Sequence, residues 1–363
     1  MKIGFTEPHL KVYGGIRRVI ELSNRLTTMG HQVTIYHPEG TPCRWMRCIA
    51  ATKTDRQLLN ETHDVLIFND AAATDYELAR LADARLKVFY VLELFDLEVV
   101  QAGGLPLFYP WHKRELFIRK SVRHADLVLA NATWEKIWLQ ENLGIPCELL
   151  IGGVNREMFH PVEVERSPDR YRILCSGDPR PRRGTRTVLE AIAIARRSEP
   201  RIELDTYHGK GIPQERMAEV YASADLFVEA SWQAGWNNPV IEAMACKTPV
   251  VCTEIGGVAD FAFHEQTALL VPPRDPHAMA RAIARLIEDR DLADRLRENA
   301  FRQVSGFDWE ESAKRLETLL REALRRRGSA RASRGLDWRE MVLVKTLRRA
   351  EKTWRAIRPL LQR

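Results

Sequence analysis

The chain reads as an α/β protein made of two Rossmann-like halves, each a parallel sheet wrapped by crossover helices. Three observations predict this. Its 363 residues suffice for two separate cores. Apolar strand-like runs alternate with amphipathic helical patterns, which implies parallel pairing. The opening layout of strand, glycine-containing loop and helix recurs near Tyr171, so a sheet is started twice.

In the first half, residues 2–5 read as a strand, and the loop after it ends in Gly14 and Gly15. The next helix carries Ile16, Val19, Ile20, Ser23 and Leu26, and a second strand covers 32–36. Runs at 65–69, 87–92 and 126–130 supply further strands. The stretch from Gly152 to Pro161 marks the crossing, and the polar segment 163–170, with Pro168, reads as a linker. In the second half, 172–175 is the opening strand, a basic loop runs to Gly184, and a helix covers 185–196. The last helix of this half begins at Trp309, with Ala313, Leu316, Leu319, Leu320 and Leu324 on one side. The expected domains are therefore 1–155 and 156–327, followed by a tail at 328–363. Neither glycine loop is a G-x-G-x-x-G fingerprint, so a nicotinamide or flavin cofactor gains no support.

Composition excludes several classes of function. From Arg321 onward the chain has 14 Lys/Arg against four Asp/Glu, so the net charge of +6 belongs to the tail and the body is mildly acidic. With no zinc-finger, RNP or helix-turn-helix pattern, no nucleic-acid partner is expected. The N-terminus opens as a strand without a signal-peptide core, and no apolar run of about 18 residues predicts a membrane span. Six cysteines form no C-x-x-C pair and read as buried free thiols in a reducing cytoplasm. His9, His112 and His208 lack metal-ligand spacing, so no metal site is expected.

The most informative segment is 228–260. A strand is followed by the loop Gly235, Trp236, Asn237, Asn238, then by a helix with Asn238 expected as N-cap and Pro239 at the first helical position. That loop feeds backbone N–H groups toward a helix N-terminus, a ready phosphate site. Glu242 lies one turn inside, flanked by Ile241, Ala243 and Ala245. A carboxylate so placed needs a partner, and ribose or sugar hydroxyls would supply one; a solvent-facing helix carboxylate is the alternative. Upstream, Gly177 opens a loop bearing Arg180, Arg182 and Arg183 before a helix start, where cations are unfavourable unless an anion joins them. A solvated basic loop is the competing reading. Gly14 and Gly15 serve either a tight turn or close backbone approach to a ligand. Glu93 ends the run 87–92 at the carboxyl edge of the first sheet, where ligands bind in open α/β folds; a local salt bridge competes.

These motifs, in order, resemble the family 4 glycosyltransferases of the two-Rossmann-domain (GT-B) type. The ordered set is Gly14-Gly15, Gly153-Val154-Asn155 with Phe159 and Pro161, Gly177 with Arg183-Gly184, Tyr221 to Asp225, Pro239 with Glu242 to Ala245, and Phe307 with Trp309. The resemblance runs from Met1 to about Leu320. It implies two domains facing a central cleft, the second holding a nucleotide-diphosphate sugar and the first presenting the acceptor. It implies that Glu242 binds the ribose and Arg183 the diphosphate, with retention of anomeric configuration and neither metal nor cofactor. The family's second glutamate falls here on Ala234 and its phosphate-binding arginine on Asp178, while one helix–strand unit before residue 214 is missing.

The expected activity is sugar transfer to a hydroxyl of a glycan or lipid-linked acceptor, in bacterial surface or secreted glycan synthesis. A catalytically silent scaffold that binds an active transferase, or a sugar-nucleotide epimerase, are the alternatives. In the tail, Leu343, Leu347, Ala350, Trp354, Ile357 and Leu361 form an apolar stripe among basic residues. The helix expected over 337–363 would lie on an anionic membrane surface, or dock on protein.

Overall fold

The computed structural model describes residues 1–69, 73–94, 118–165 and 167–327. The tail helix expected at 337–363 and His112 lie outside them. The strands are β1 Lys2–Thr6, β2 Gln32–Tyr36, β3 Ala51–Lys53, β4 Thr62–Asn69, β5 Asp83–Val91, β6 Leu127–Ala130, β7 Glu148–Leu149, β8 Tyr171–Cys175, β9 Ile202–Thr206, β10 Leu226–Glu229, β11 Val250–Thr253 and β12 Leu269–Val271. The helices are α1 Gly14–Thr28, α2 Asp55–Leu58, α3 Ala73–Leu81, α4 Thr133–Leu143, α5 Thr185–Ala195, α6 Met217–Ala222, α7 Asn238–Ala245, α8 Pro276–Glu288, α9 Arg290–Val304 and α10 Trp309–Arg327.

Two all-parallel sheets result, as the alternating pattern requires. The first runs β3-β2-β1-β4-β5-β6-β7, and the second β12-β11-β10-β8-β9. Their strands are apolar on both faces because helices cover both: Leu226 to Glu229 and Val250 to Thr253 are buried throughout. Short strands escape sequence reading, and β3 and β7 are of this kind.

Gly184 is held at φ +63° just before α5, and a Cβ there would overlap the Ala230 carbonyl after β10. Only glycine lets the basic loop approach the sheet this closely. Gly177, at φ +70°, similarly lies against Thr206 of β9, 2.6 Å from the position of a Cβ.

The C-terminal helix corrects the expected domain division. Its stripe Trp309, Ala313, Leu316, Leu319 and Leu320 shares a core with Ile3, Ile16, Ile20, Leu26 and Val88 of the first domain. The chain therefore crosses back after completing the second sheet. Sequence order alone assigns α10 to the second domain, because an amphipathic stripe names a face without naming what covers it.

Candidate functional site

In both sheets the strand order reverses beside the opening strand, between β1 and β4 and between β8 and β10. Loops leaving adjacent strands at such a point diverge and leave a crevice beyond the strands' carboxyl ends. The loop after β1 leads into Gly14 and Gly15, the first residues of α1, and the loops after β8 and β10 carry the three arginines and Asn237, so both crevices open onto one cleft.

Across this cleft α1 and α7 meet with their N-termini at the same level. A Cβ on Gly14 would lie 2.6 Å from the Asn238 side-chain nitrogen, and one on Gly15 would touch Leu92 at 3.4 Å. One turn further along, Arg17 Nε of α1 faces Glu242 Oε1 of α7 at 3.6 Å. The positive ends of two helix dipoles, each equivalent to roughly half a charge, thus converge from opposite domains, although in α7 the Asn238 N–H already bonds the Trp236 carbonyl at 3.2 Å and Pro239 has none. Asn238 is the first residue of α7 rather than its cap, and Asn237 precedes it without a side-chain capping bond. Instead Asn237 is fully buried, its side-chain nitrogen turned toward the Glu229 carboxylate and its side-chain oxygen without a hydrogen-bond partner among the described residues. Unused acceptor capacity at a helix N-terminus is open to a ligand's hydroxyl.

Glu242 is 7 % exposed, so the solvent-facing reading is excluded. Tyr221 donates its hydroxyl hydrogen to Glu242 Oε2 at 3.0 Å, and the Tyr207 hydroxyl lies 3.2 Å from that of Tyr221. Burial pushes the Glu242 pKa up, while Arg17 and the Tyr221 hydrogen bond pull it back.

The basic loop is not a solvated one. Arg180 donates to Asp178 through Nε at 2.9 Å, and Arg183 Nε lies 3.7 Å from the same carboxylate. Burial alone would raise the Asp178 pKa, but Arg180 and Arg183 hold it below its ordinary value. Arg182 pairs with Glu93 across the cleft, a bridge between the domains rather than the local one weighed for Glu93. Arg183 also approaches Glu229 at 4.0 Å. Glu229 is 1 % exposed, accepts from Ser231, and has its pKa raised by burial. Sequence reading missed it, although it closes an apolar strand just as Glu93 does. Glu7, buried after β1 and accepting from Asn69 at 2.6 Å, carries the same overlooked signal.

Gly235 and Trp236 hold the domains together rather than line open space. A side chain on Gly235 would strike the Leu92 carbonyl, and its own carbonyl accepts from Trp134 Nε1 at 2.9 Å. The ring of Trp236 packs on Phe261 and Phe307 in the core, with Arg18 above it. Gln233, beside Ala234, donates to the Leu94 carbonyl at 2.7 Å. Beyond Arg17, a cavity of about 530 Å³ is lined from both domains, by Val12, Arg44, Trp45 and Arg47 on one side and Ile212 and Gln214 on the other.

All six cysteines are free, and burial raises the thiol of Cys175 to about 12. Among the described residues no group of three His, Cys, Asp or Glu side chains could hold a metal, and no helix is long and apolar enough to cross a membrane.

Residues 159–289 match the family described as Glycosyl transferases group 1. A D-inositol 3-phosphate glycosyltransferase of Corynebacterium glutamicum is 30% identical over 162 residues, which are 44% of this chain and 38% of that protein, so the match spans well under half of the relative's length. Among solved structures, sucrose-phosphate synthase from Thermosynechococcus elongatus superposes with a TM-score of 0.72 at 20% identity, covering 90% of this chain and 99% of that one. Anabaena Alr3699/HepE in complex with UDP-glucose superposes with a TM-score of 0.66 at 16% identity, covering 89% and 100%. The chain has the GT-B fold, and its second domain carries the match to the Glycosyl transferases group 1 family.

Proposed function

We propose that this protein transfers a sugar from a nucleotide-diphosphate donor to an acceptor hydroxyl. The observation that carries the reading is the buried Glu242 one turn inside α7, beneath the point where two helix N-termini converge. A diphosphate would lie between those N-termini and within reach of Arg183, and the ribose hydroxyls would donate to Glu242. The base would then extend past Gln214 toward the 530 Å³ cavity. Charge that builds on the departing diphosphate would meet preorganised donors, the effect that usually contributes most to catalysis. UDP-glucose in a structure of the same fold supports a sugar nucleotide as donor.

Glu93, on the first domain and paired with Arg182, belongs to the acceptor side of this reading. Retention of configuration, independence of metal and cofactor, and a glycan or lipid-linked acceptor follow from the family 4 resemblance. Peripheral attachment to an anionic membrane through residues 337–363, at the inner face of a bacterial membrane, completes the proposal.

A second reading has two observations in its favour. Ala234 stands where the family has a carboxylate, and the Asp178 and Glu229 carboxylates approach Arg183 at 3.7 and 4.0 Å. A catalytically silent scaffold would tolerate both.

Calorimetry and thermal shift against UDP, GDP, dTDP and their sugar conjugates test the proposal, alongside Glu242→Ala and Arg183→Ala. Binding of one nucleotide series, weakened by both substitutions, supports the donor site. Release of nucleoside diphosphate only when acceptor is supplied separates transfer from epimerisation. Tight nucleotide binding with no turnover on any acceptor supports the scaffold. A folded protein that binds none of these nucleotides refutes the donor site.

A further inference from the structure

We propose that Arg17 of the first domain binds the donor diphosphate, leaving Glu242 when ribose hydroxyls take its place there. This inference deepens the donor reading above and rests on it.

Position is the first argument. Arg17 lies three residues beyond Gly14 on α1, and Glu242 four beyond Asn238 on α7. The guanidinium therefore sits about one turn, roughly 5 Å, from the meeting of the helix N-termini. An arginine side chain spans that distance by changing rotamer.

Bonding is the second. The Arg17 side chain is only 11 % exposed, yet its contacts are weak for a buried guanidinium. Its Nε stands 3.6 Å from Glu242, outside hydrogen-bond length. One terminal nitrogen faces the Met158 sulfur at 3.3 Å, a weak acceptor, and the other donates to Gln214. Phe159 and Trp45 flank the group with ring centroids 5.1 and 5.6 Å away. It is held in place without the bidentate oxygen partner that guanidinium prefers, and a phosphate offers one.

Charge supply is the third. A diphosphate brings at least two negative charges, while Asp178 takes Arg180 and Glu93 takes Arg182, which leaves Arg183, 3.7 Å from Asp178 and 4.0 Å from Glu229, as a single loosely held cation on that wall. The neighbouring Arg18 is turned elsewhere, its Nη1 bonded to the Tyr90 hydroxyl at 2.6 Å and the Leu150 carbonyl at 3.3 Å while its Nη2 has no hydrogen-bond partner among the described residues. Arg17 reaches the site from the opposite wall, so its contact would also tie donor binding to the domains' approach.

The test compares UDP with uridine on wild type, Arg17→Ala and Arg17→Lys, with GDP/guanosine and ADP/adenosine in parallel. Calorimetry follows the diphosphates and ligand-observed NMR titration the weaker nucleosides. Loss of about 10-fold or more in diphosphate affinity on Arg17→Ala, with nucleoside affinity within about twofold, is the expected result, since hydrogen bonds to charged groups are worth that much. Arg17→Lys should recover part of the loss. Tighter binding of both ligands to Arg17→Ala would make Arg17 a mere occupant of the ribose place and overturn the proposal. Equal weakening of both, with a lowered Tm, would make it structural and also overturn it. Wild-type protein that binds none of the diphosphates removes the donor reading, and this inference with it.

Discussion

Tyr221 and Glu242 form a buried pair in which the phenol donates at 3.0 Å, so the carboxylate keeps one oxygen fixed and turns the other to the cleft. Tyr221→Phe removes the donor and leaves the ring packed on Phe159 and Phe227. Nucleotide affinity should fall by a few-fold to about 10-fold, as the net worth of one hydrogen bond of about 0.5–1.5 kcal/mol implies. Calorimetry checks this; unchanged affinity would mean that the phenol does not orient Glu242.

Gly184 combines φ +63° with a backbone carbonyl where a Cβ would stand. Gly184→Ala should destabilise the second domain by on the order of 1–3 kcal/mol, through strain and displacement of the basic loop. A thermal melt reads the stability, and nucleotide affinity should fall with it because Arg183 is displaced. Wild-type Tm and affinity together would refute the close-approach argument.

Glu229 predicts a pH dependence of definite sign. Burial raises its folded pKa above the ordinary 4.5. Well below pH 4.5 both folded and unfolded chains carry the proton, and as pH rises the unfolded chain releases it first. The carboxyl's contribution to stability is therefore greatest in acid and is lost between pH 4.5 and the raised folded value. Glu229→Gln, which keeps the shape and cannot ionise, should gain stability over wild type at pH 7 to 8, a gain that vanishes near pH 4. A difference in Tm that does not vary with pH would show that Arg183 cancels the burial penalty.

Leu316 of α10 is fully buried in the first domain's core. Leu316→Ala should cost about 2–5 kcal/mol. Hydrogen exchange should quicken in β1 and α1 and stay near wild type in β8 and β10. Loosening confined to the second sheet would contradict the packing.

Removal of residues 328–363 should abolish binding to vesicles containing anionic lipid and leave nucleotide affinity unchanged. Co-sedimentation with vesicles decides it, and undiminished binding of the truncated chain would rule out the tail as the anchor.

Sequence by itself determined the local structure and the chemistry available. Strand-length apolar runs at residues 2–5 and 172–175, with glycines at the start of α1 and just before α5, announced two sheet openings, because period and turn chemistry are short-range properties. Glu242 and Arg183 stood out because a carboxylate inside an apolar helix, and cations before a helix start, need partners. Tertiary structure alone decided which partners they have. Arg17 and Glu242 are 225 positions apart, and nothing in either helix names the other. The same holds for Arg182 with Glu93, for Glu229 beneath Arg183, and for the return of α10 to the first domain. Amphipathic patterns and charges state what a segment must bury or pair. The counterpart is fixed only when both sheets are formed and their diverging loops are brought face to face.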